Sequence, residues 1–295
     1  SNVTSEAGKV RLDAENNIDI ANETEYHERL HEYHSKVSGA LSSKTTDIYD
    51  YSDQNTVVGS SVSADEIAIN SKKNTNITGS SIVADNDVNI KAGGDLRISS
   101  AEQTSDSLYV KQVKKSGVLA GGGLGFTIGK EKRKDQYADQ NVEQVGSTVG
   151  SIKGNVKLTA EKDAQIKGSS VLAGKDISIQ GENVNVENSD SIYNAQEKHE
   201  FERTGLSVSV GGSYVAAADN VVNSVKHATE VEDKRLGALV AAKGYKDTAK
   251  AVENIKGNNN GKVKDNLSIN VSLGATKSSS ESKSTTTVAN ASEVK

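Results

Sequence analysis

The feature that most limits how this chain can fold is a repeat of about twenty residues. Gly59-Ser60-Ser61-Val62 returns 20 residues later as Gly79-Ser80-Ser81-Ile82, and Gly146-Ser147-Thr148-Val149 returns 22 later as Gly168-Ser169-Ser170-Val171. Between these starts lie aliphatic triplets: Val10-Arg11-Leu12, Ile18-Asp19-Ile20, Ile67-Ala68-Ile69, Val88-Asn89-Ile90 and Leu96-Arg97-Ile98. A second set reads Val156-Lys157-Leu158, Ile177-Ser178-Ile179 and Val184-Asn185-Val186. Apolar-polar-apolar is the period-two pattern of a strand with one buried face. Ile67 and Val88 are 21 residues apart, as are Val156 and Ile177. Three short strands in such a stretch make one rung of a parallel β-helix, whose rungs stack ~4.8 Å apart. The expected fold is all-β, a right-handed parallel β-helix with protruding β-arms.

Composition agrees with thin stacked layers and not with one thick core. Of 295 residues, 34% are apolar, with two Phe and no Trp, Met, Pro or Cys. The interior must be Val, Ile, Leu and Ala. Absent Cys excludes disulfides and thiolate metal sites. Absent Met, even at position 1, is expected of a piece cut from a longer chain. No apolar run approaches the ~18 residues of a membrane-spanning helix, and no signal peptide is read. A net charge of −5 with interspersed signs argues against a nucleic-acid partner. No convergent acid, base and nucleophile set is present, so no enzyme activity, small-molecule substrate or cofactor is expected.

A longer period overlies the short one. Gly79 and Gly168 are 89 residues apart. The chain divides into a rung at 1–20, an excursion arm at 21–57, two rungs at 58–98, an arm at 99–145, two rungs at 146–187, and a long excursion at 188–295. The later arms open alike, as Ser105-Asp106-Ser107-Leu108-Tyr109 and Ser189-Asp190-Ser191-Ile192-Tyr193. Helical spacing of Leu236, Leu239 and Val240 predicts a small helical insert near 215–256. A returning strand at 265–290 follows, and its Leu267–Leu273 part suits pairing with Leu206–Val210. The sequence leaves open whether the three arms share one sheet. About five rungs would rise ~24 Å at ~4.8 Å each, and their open edges are expected to self-associate.

Some motifs suggest chemistry. His27-Glu28-Arg29-Leu30-His31 fits the H-E-x-x-H zinc pattern, with His34 as a third imidazole. That pattern needs a helix. In an extended arm His27 and His31 lie ~13 Å apart, so only incidental metal capture is expected of these three. Gly129-Lys130-Glu131 breaks the phosphate-loop pattern. The second arm holds the candidate interaction residues Gly117, Leu119, Gly123, Phe126, Ile128, Lys130, Lys132 and Arg133. Its glycine-rich stretch either packs on the β-helix flank or another arm, or pairs with a membrane strand. Lys130-Glu131-Lys132-Arg133-Lys134 reads as a solvated arm tip or a contact for anionic lipid headgroups.

Taken in order, the Gly-Ser-Ser/Thr-Val starts, the triplets, the arm Ser116-Gly117-Val118-Leu119-Ala120-Gly121-Gly122-Gly123-Leu124-Gly125-Phe126 and the re-entry Val145-Gly146-Ser147-Thr148-Val149 resemble the haemagglutinin repeats of two-partner-secreted exoproteins. The stretch from Asp233 to Leu239, with Leu267–Leu273 and the Ser/Thr tail, looks most like the second repeat block of contact-dependent growth inhibition effectors. The resemblance implies secretion to a Gram-negative cell surface through an outer-membrane transporter. It also implies a filament segment that helps carry a C-terminal toxin into a target cell, meeting that cell's outer membrane or receptor. The alternative it implies is a filamentous haemagglutinin-type adhesin segment. No toxin boundary motif is present, so the resemblance assigns no catalytic residue here.

Overall fold

The computed structural model describes residues 1–120, 125–211 and 268–295. Short strands close one rung after another. The first is β1 (Asn2–Thr4), β2 (Lys9–Ala14) and β3 (Ile18–Ala21), followed by an arm of β4 (Glu23–Ser38) and β5 (Ser42–Val58). Two rungs follow: β6 (Ser61–Ala64), β7 (Glu66–Ser71) and β8 (Thr75–Thr78), then β9 (Ser81–Ala84), β10 (Val88–Ala92) and β11 (Leu96–Ser99). The second arm is β12 (Ala101–Ala120) and β13 (Gly125–Val145). Next come β14 (Thr148–Ser151), β15 (Val156–Ala160) and β16 (Asp163–Lys167), then β17 (Ser170–Ala173), β18 (Ile177–Gln180) and β19 (Asn183–Glu187). The third arm is β20 (Ser189–Gly211) and β21 (Ser268–Asn290), and β22 (Glu293–Val294) begins another rung. The helical insert expected near 215–256 and Gly123 lie outside the described residues.

The rung strands form three parallel sheets, ordered β1-β6-β9-β14-β17-β22, β18-β15-β10-β7-β2 and β19-β16-β11-β8-β3. This is the expected parallel β-helix. The period-two triplets explain it directly. Val10, Ile67, Val88, Val156 and Ile177 stack in one column, and Leu12, Ile69, Ile90, Leu158 and Ile179 in the next. In the middle rungs Ile69, Val88, Val156 and Leu158 are fully buried. The matching columns of the third sheet open at the end, where Val184 beside Ala164 is 46% and Val186 beside Ile166 48% exposed.

Corner serines tie the rungs together. The N–H of Ser60 donates to Ser80 Oγ (3.1 Å), that of Ser80 to Ser147 Oγ (3.2 Å), and that of Ser147 to Ser169 Oγ (3.1 Å). Each hydroxyl in turn donates to the carbonyl that ends the preceding strand of the third sheet. Ser80 reaches Thr78 two residues back (2.8 Å), while Ser147 reaches Ser99 across 48 residues (2.7 Å). The corner is therefore built alike whether or not an arm intervenes. Ser147→Ala would leave the buried Ser80 N–H without its acceptor and the Ser99 carbonyl with only the Gly79 N–H as donor. It is expected to cost about 1–3 kcal/mol, read by urea unfolding. Where no arm intervenes the chain turns through Gly79 (φ 53°) and Gly168 (φ 56°). A Cβ on Gly168 would overlap Ser189 Oγ, at the root of the third arm.

Arms leave after the first, third and fifth rungs, always at this corner. They join in one six-stranded antiparallel sheet, β21-β20-β13-β12-β5-β4. The hairpins start level, with Glu23 opposite Val58, Ala101 opposite Val145 and Ser189 opposite Asn290. No residue is skipped in any of the five ladders. The spacing accounts for this. Two rungs rise ~9.6 Å, the width of one two-stranded hairpin. One hairpin every second rung fills the flank without gap or overlap.

Candidate interaction surface

Because the ladders are unbroken, every arm residue has a fixed face. On one face, running back from the loops, two apolar rows cross the sheet: Ala120, Phe126, Val208 and Val271, then Val118, Ile128, Leu206 and Leu273. Leu119, Thr127, Ser207 and Ser272 share the opposite face. Thr127 and Ser207 hydroxyls there lie 2.9 Å apart. This outer end of the sheet is thus apolar on one face and mostly small and hydroxylated on the other. Phe126 and Val208 are covered, whereas Val271 and Leu273 at the edge are 60% and 83% exposed.

A transverse glycine line, Gly117, Gly129, Gly205 and Gly274, sits directly behind those rows. Gly117 has φ 106°, and a Cβ on it would overlap the Leu41 carbonyl oxygen. At Gly117, Gly129 and Gly205 the neighbouring backbones come too close for any side chain. Gly117 and Gly129 are therefore packing requirements.

The basic run 130–134 is not at the arm's end. It lies within β13, and alternation splits it. Lys130, Lys132 and Lys134 share the face of the apolar rows, while Glu131 and Arg133 point the other way. Lys130 follows the row of Ile128, and Lys132 stands opposite Lys114. Arg133 lies over the Phe201 ring at 5.8 Å, with Arg203 at 5.7 Å. Glu131 is buried; burial pushes its pKa up, but hydrogen bonds from Arg203 and Lys115 outweigh this and hold it below the usual range.

Sequence reasoning missed the chemistry that joins the second and third arms. Tyr109 and Tyr137 rings lie 6.2 Å apart, and His199 meets Tyr137 edge-on at 5.7 Å. His199 Nδ1 is 2.8 Å from Asp135 and Nε2 2.6 Å from Glu197. Those two hydrogen bonds, Asp135 first, raise its pKa. A raised folded value means this contribution is complete below the unfolded histidine value of ~6.5. It is lost as pH rises through the folded midpoint. The His199 ring is expected to titrate above ~6.5 by NMR, and Asp135→Asn to lower that midpoint. No local pattern in the sequence pointed to a histidine facing two carboxylates.

The H-E-x-x-H segment is in β4, an extended strand, so the helix that the motif needs is not formed. His27 and His31 share a face and His34 takes the other. His34 Nδ1 lies 2.6 Å from Asp47, which this contact holds below the usual carboxylate range. Among the described residues, no group of three His, Asp or Glu is placed to hold a metal ion.

The sequence profile of the hemagglutinin repeat matches residues 1–117 and 37–200. The chain is 34% identical over 228 residues to a tRNA nuclease CdiA of Escherichia coli O6:K15:H31, covering 77% of this chain and 7% of that protein. It is 32% identical over 280 residues to a 16S rRNA endonuclease CdiA of Enterobacter cloacae subsp. cloacae, covering 92% of this chain and 8% of that protein. A toxin CdiA of Yersinia pestis is 33% identical over 228 residues, covering 77% of this chain and 7% of its own length. The chain thus spans less than a tenth of these relatives. No solved structure matches it significantly. With stacked rungs, arms at every second rung and these matches, the chain belongs to the hemagglutinin-repeat family, as a repeat region of the CdiA kind of two-partner exoprotein exposed on the Gram-negative cell surface.

Proposed function

We propose that this segment is a structural and delivery element of a contact-dependent growth inhibition effector, helping to carry a C-terminal toxin into a target cell. The stacked rungs serve as a stiff rod, and an outer-membrane transporter exports the whole protein. The nuclease activities named for the relatives belong to those proteins. In this reading the segment itself catalyses nothing. The isolated chain is expected to self-associate through its open rung ends.

The observation that carries the delivery role is the apolar outer end of the arm sheet, with Val271 and Leu273 exposed and hydroxylated residues behind them. Such two-faced strands suit contact with an outer-membrane surface or barrel edge. Flotation with Gram-negative outer-membrane vesicles tests it. The parent chain is expected to float. Deletion of 105–145 and the double substitution Val271→Glu with Leu273→Glu are both expected to abolish flotation. The double substitution changes only exposed edge positions, so it leaves the β-helix intact. A parent chain that stays at the bottom of the gradient contradicts the proposal and leaves a passive filament spacer.

The row Tyr109, Tyr137 and His199 favours a second reading, an adhesin segment binding a host or bacterial surface glycan. Specific glycan binding by the chain, lost in Tyr137→Ala, supports that reading; an absence of such binding removes it.

A further inference from the structure

The lysines that alternation brings to one face make a site of their own. Lys114 and Lys132 stand directly opposite each other on β12 and β13, and Lys130 is two residues along. Like charges placed opposite across strands destabilise a sheet. Among the described residues, no carboxylate lies within ion-pair distance of Lys130 or Lys132. Lys114 has only Asp47, at 4.0 Å. The neighbours in register are Thr45 beside Lys114, Ser116 and Thr204 on either side of Lys130, and Glu202 beside Lys132; Ser116 Oγ also lies 2.8 Å from Ser43 Oγ. These side chains line a depression of about 350 Å³. Its two carboxylates are already engaged, Glu202 by Lys277 at 3.1 Å and Glu131 by Lys115 at 3.1 Å and by Arg203. What is left is a cluster of ammonium groups ringed by hydroxyl donors, the composition that suits a phosphate group.

Position supports the same ligand. Lys130 and Lys132 share the face of the apolar rows. Along a strand, residues two apart on one face are ~6.8 Å apart, so these lysines stand ~7 and ~14 Å behind the row of Ile128 and Leu273. An outer end resting in the acyl region of a leaflet would hold them at headgroup depth.

We propose that Lys114, Lys130 and Lys132, with the hydroxyls of Thr45, Ser116 and Thr204, form a binding site for a phosphate group, met as the phosphorylated headgroup of an outer-leaflet lipid. The headgroup source rests on the membrane reading above; the phosphate site does not. Two measurements test it on the whole chain. In the first, inorganic pyrophosphate is titrated while amide chemical shifts are recorded. Saturable shifts are expected at positions 45, 114, 116, 130, 132 and 204. The triple variant Lys114→Gln, Lys130→Gln, Lys132→Gln is expected to weaken binding at least about tenfold. A control with the same charge change on the exposed β-helix surface, Lys91→Gln, Lys157→Gln, Lys175→Gln, is expected to leave it unchanged.

In the second, flotation is compared on vesicles carrying phosphorylated or dephosphorylated lipid A. Loss of flotation on the dephosphorylated lipid identifies the headgroup as the source. Saturable pyrophosphate binding with flotation indifferent to lipid phosphate supports the site and assigns it to a soluble phosphate. Non-saturable shifts, or equal weakening in both triple variants, overturn it. Flotation of the parent chain without saturable pyrophosphate binding overturns the site while leaving membrane contact standing.

Discussion

Gly129→Ala is expected to destabilise the chain by about 2–4 kcal/mol and to part the second arm from the third. Gly274→Ala, in the same glycine line, is expected to do nothing measurable. A Cβ on Gly129 would overlap the Thr204 carbonyl oxygen and lie 2.7 Å from Gly205 Cα, so backbone itself must move. A Cβ on Gly274 meets nothing within 4 Å, because β21 is the sheet's outer strand. The two substitutions are chemically identical, so the contrast isolates the close approach of β13 to β20. Urea unfolding gives the stability difference. Amide exchange at residues 125–129 and 205–208 reports whether those two strands have separated.

Leu158→Asp is expected to cost more than about 4 kcal/mol. Leu158 is fully buried between Ile90 and Ile179, inside the aliphatic core, where a carboxylate would lose its water. A rung of a solenoid is held by the rungs on either side of it, so the damage spreads to β10 and β18 and to the roots of the second and third arms. Val186→Asp places the same charge in the same kind of column at its open end, 48% exposed. It is expected to cost less than about 1 kcal/mol. Equal losses from the two would contradict a core built of stacked aliphatic columns.

The β-helix was readable because its core is written in period two. In Ile67-Ala68-Ile69 the outer residues point inward and are essentially buried, and the triplets recur at rung spacing. The returning strand was readable for the same reason: alternation in Leu206–Val210 matches that of the stretch leading to Leu273 in β21, and the two pair with Leu206 opposite Leu273. The corner serines were visible only as small residues suited to a turn. Their hydrogen bonds run between rungs, through partners up to 70 residues away in sequence, and no local pattern encodes such a bond.

Union of the arms in one sheet could not be read either. Pairing between arms is carried by backbone groups, and many of the side chains brought opposite are unlike, such as Tyr109 with Asp50 and Tyr137 with Glu197. Alternation was likewise what the basic run 130–134 concealed. Read along the chain it is one cluster, whereas in β13 its lysines and its arginine serve opposite faces.

The central claim is that hairpins set two rungs apart lock into one sheet in a single register. Disulfide formation between arms tests it most directly, in a chain that has no cysteine of its own. Ser52 stands opposite Ser107 across the first and second arms, and Gln140 opposite Asn194 across the second and third. Facing strand residues lie ~4.5–5.5 Å apart at Cα, within disulfide reach. Paired substitutions Ser52→Cys with Ser107→Cys, and Gln140→Cys with Asn194→Cys, are expected to oxidise fully within one chain. Asp53→Cys with Ser107→Cys, one residue out of step and on opposite faces, is expected to stay reduced. Intramolecular bridging of the out-of-step pair, or of neither matched pair, would contradict the account.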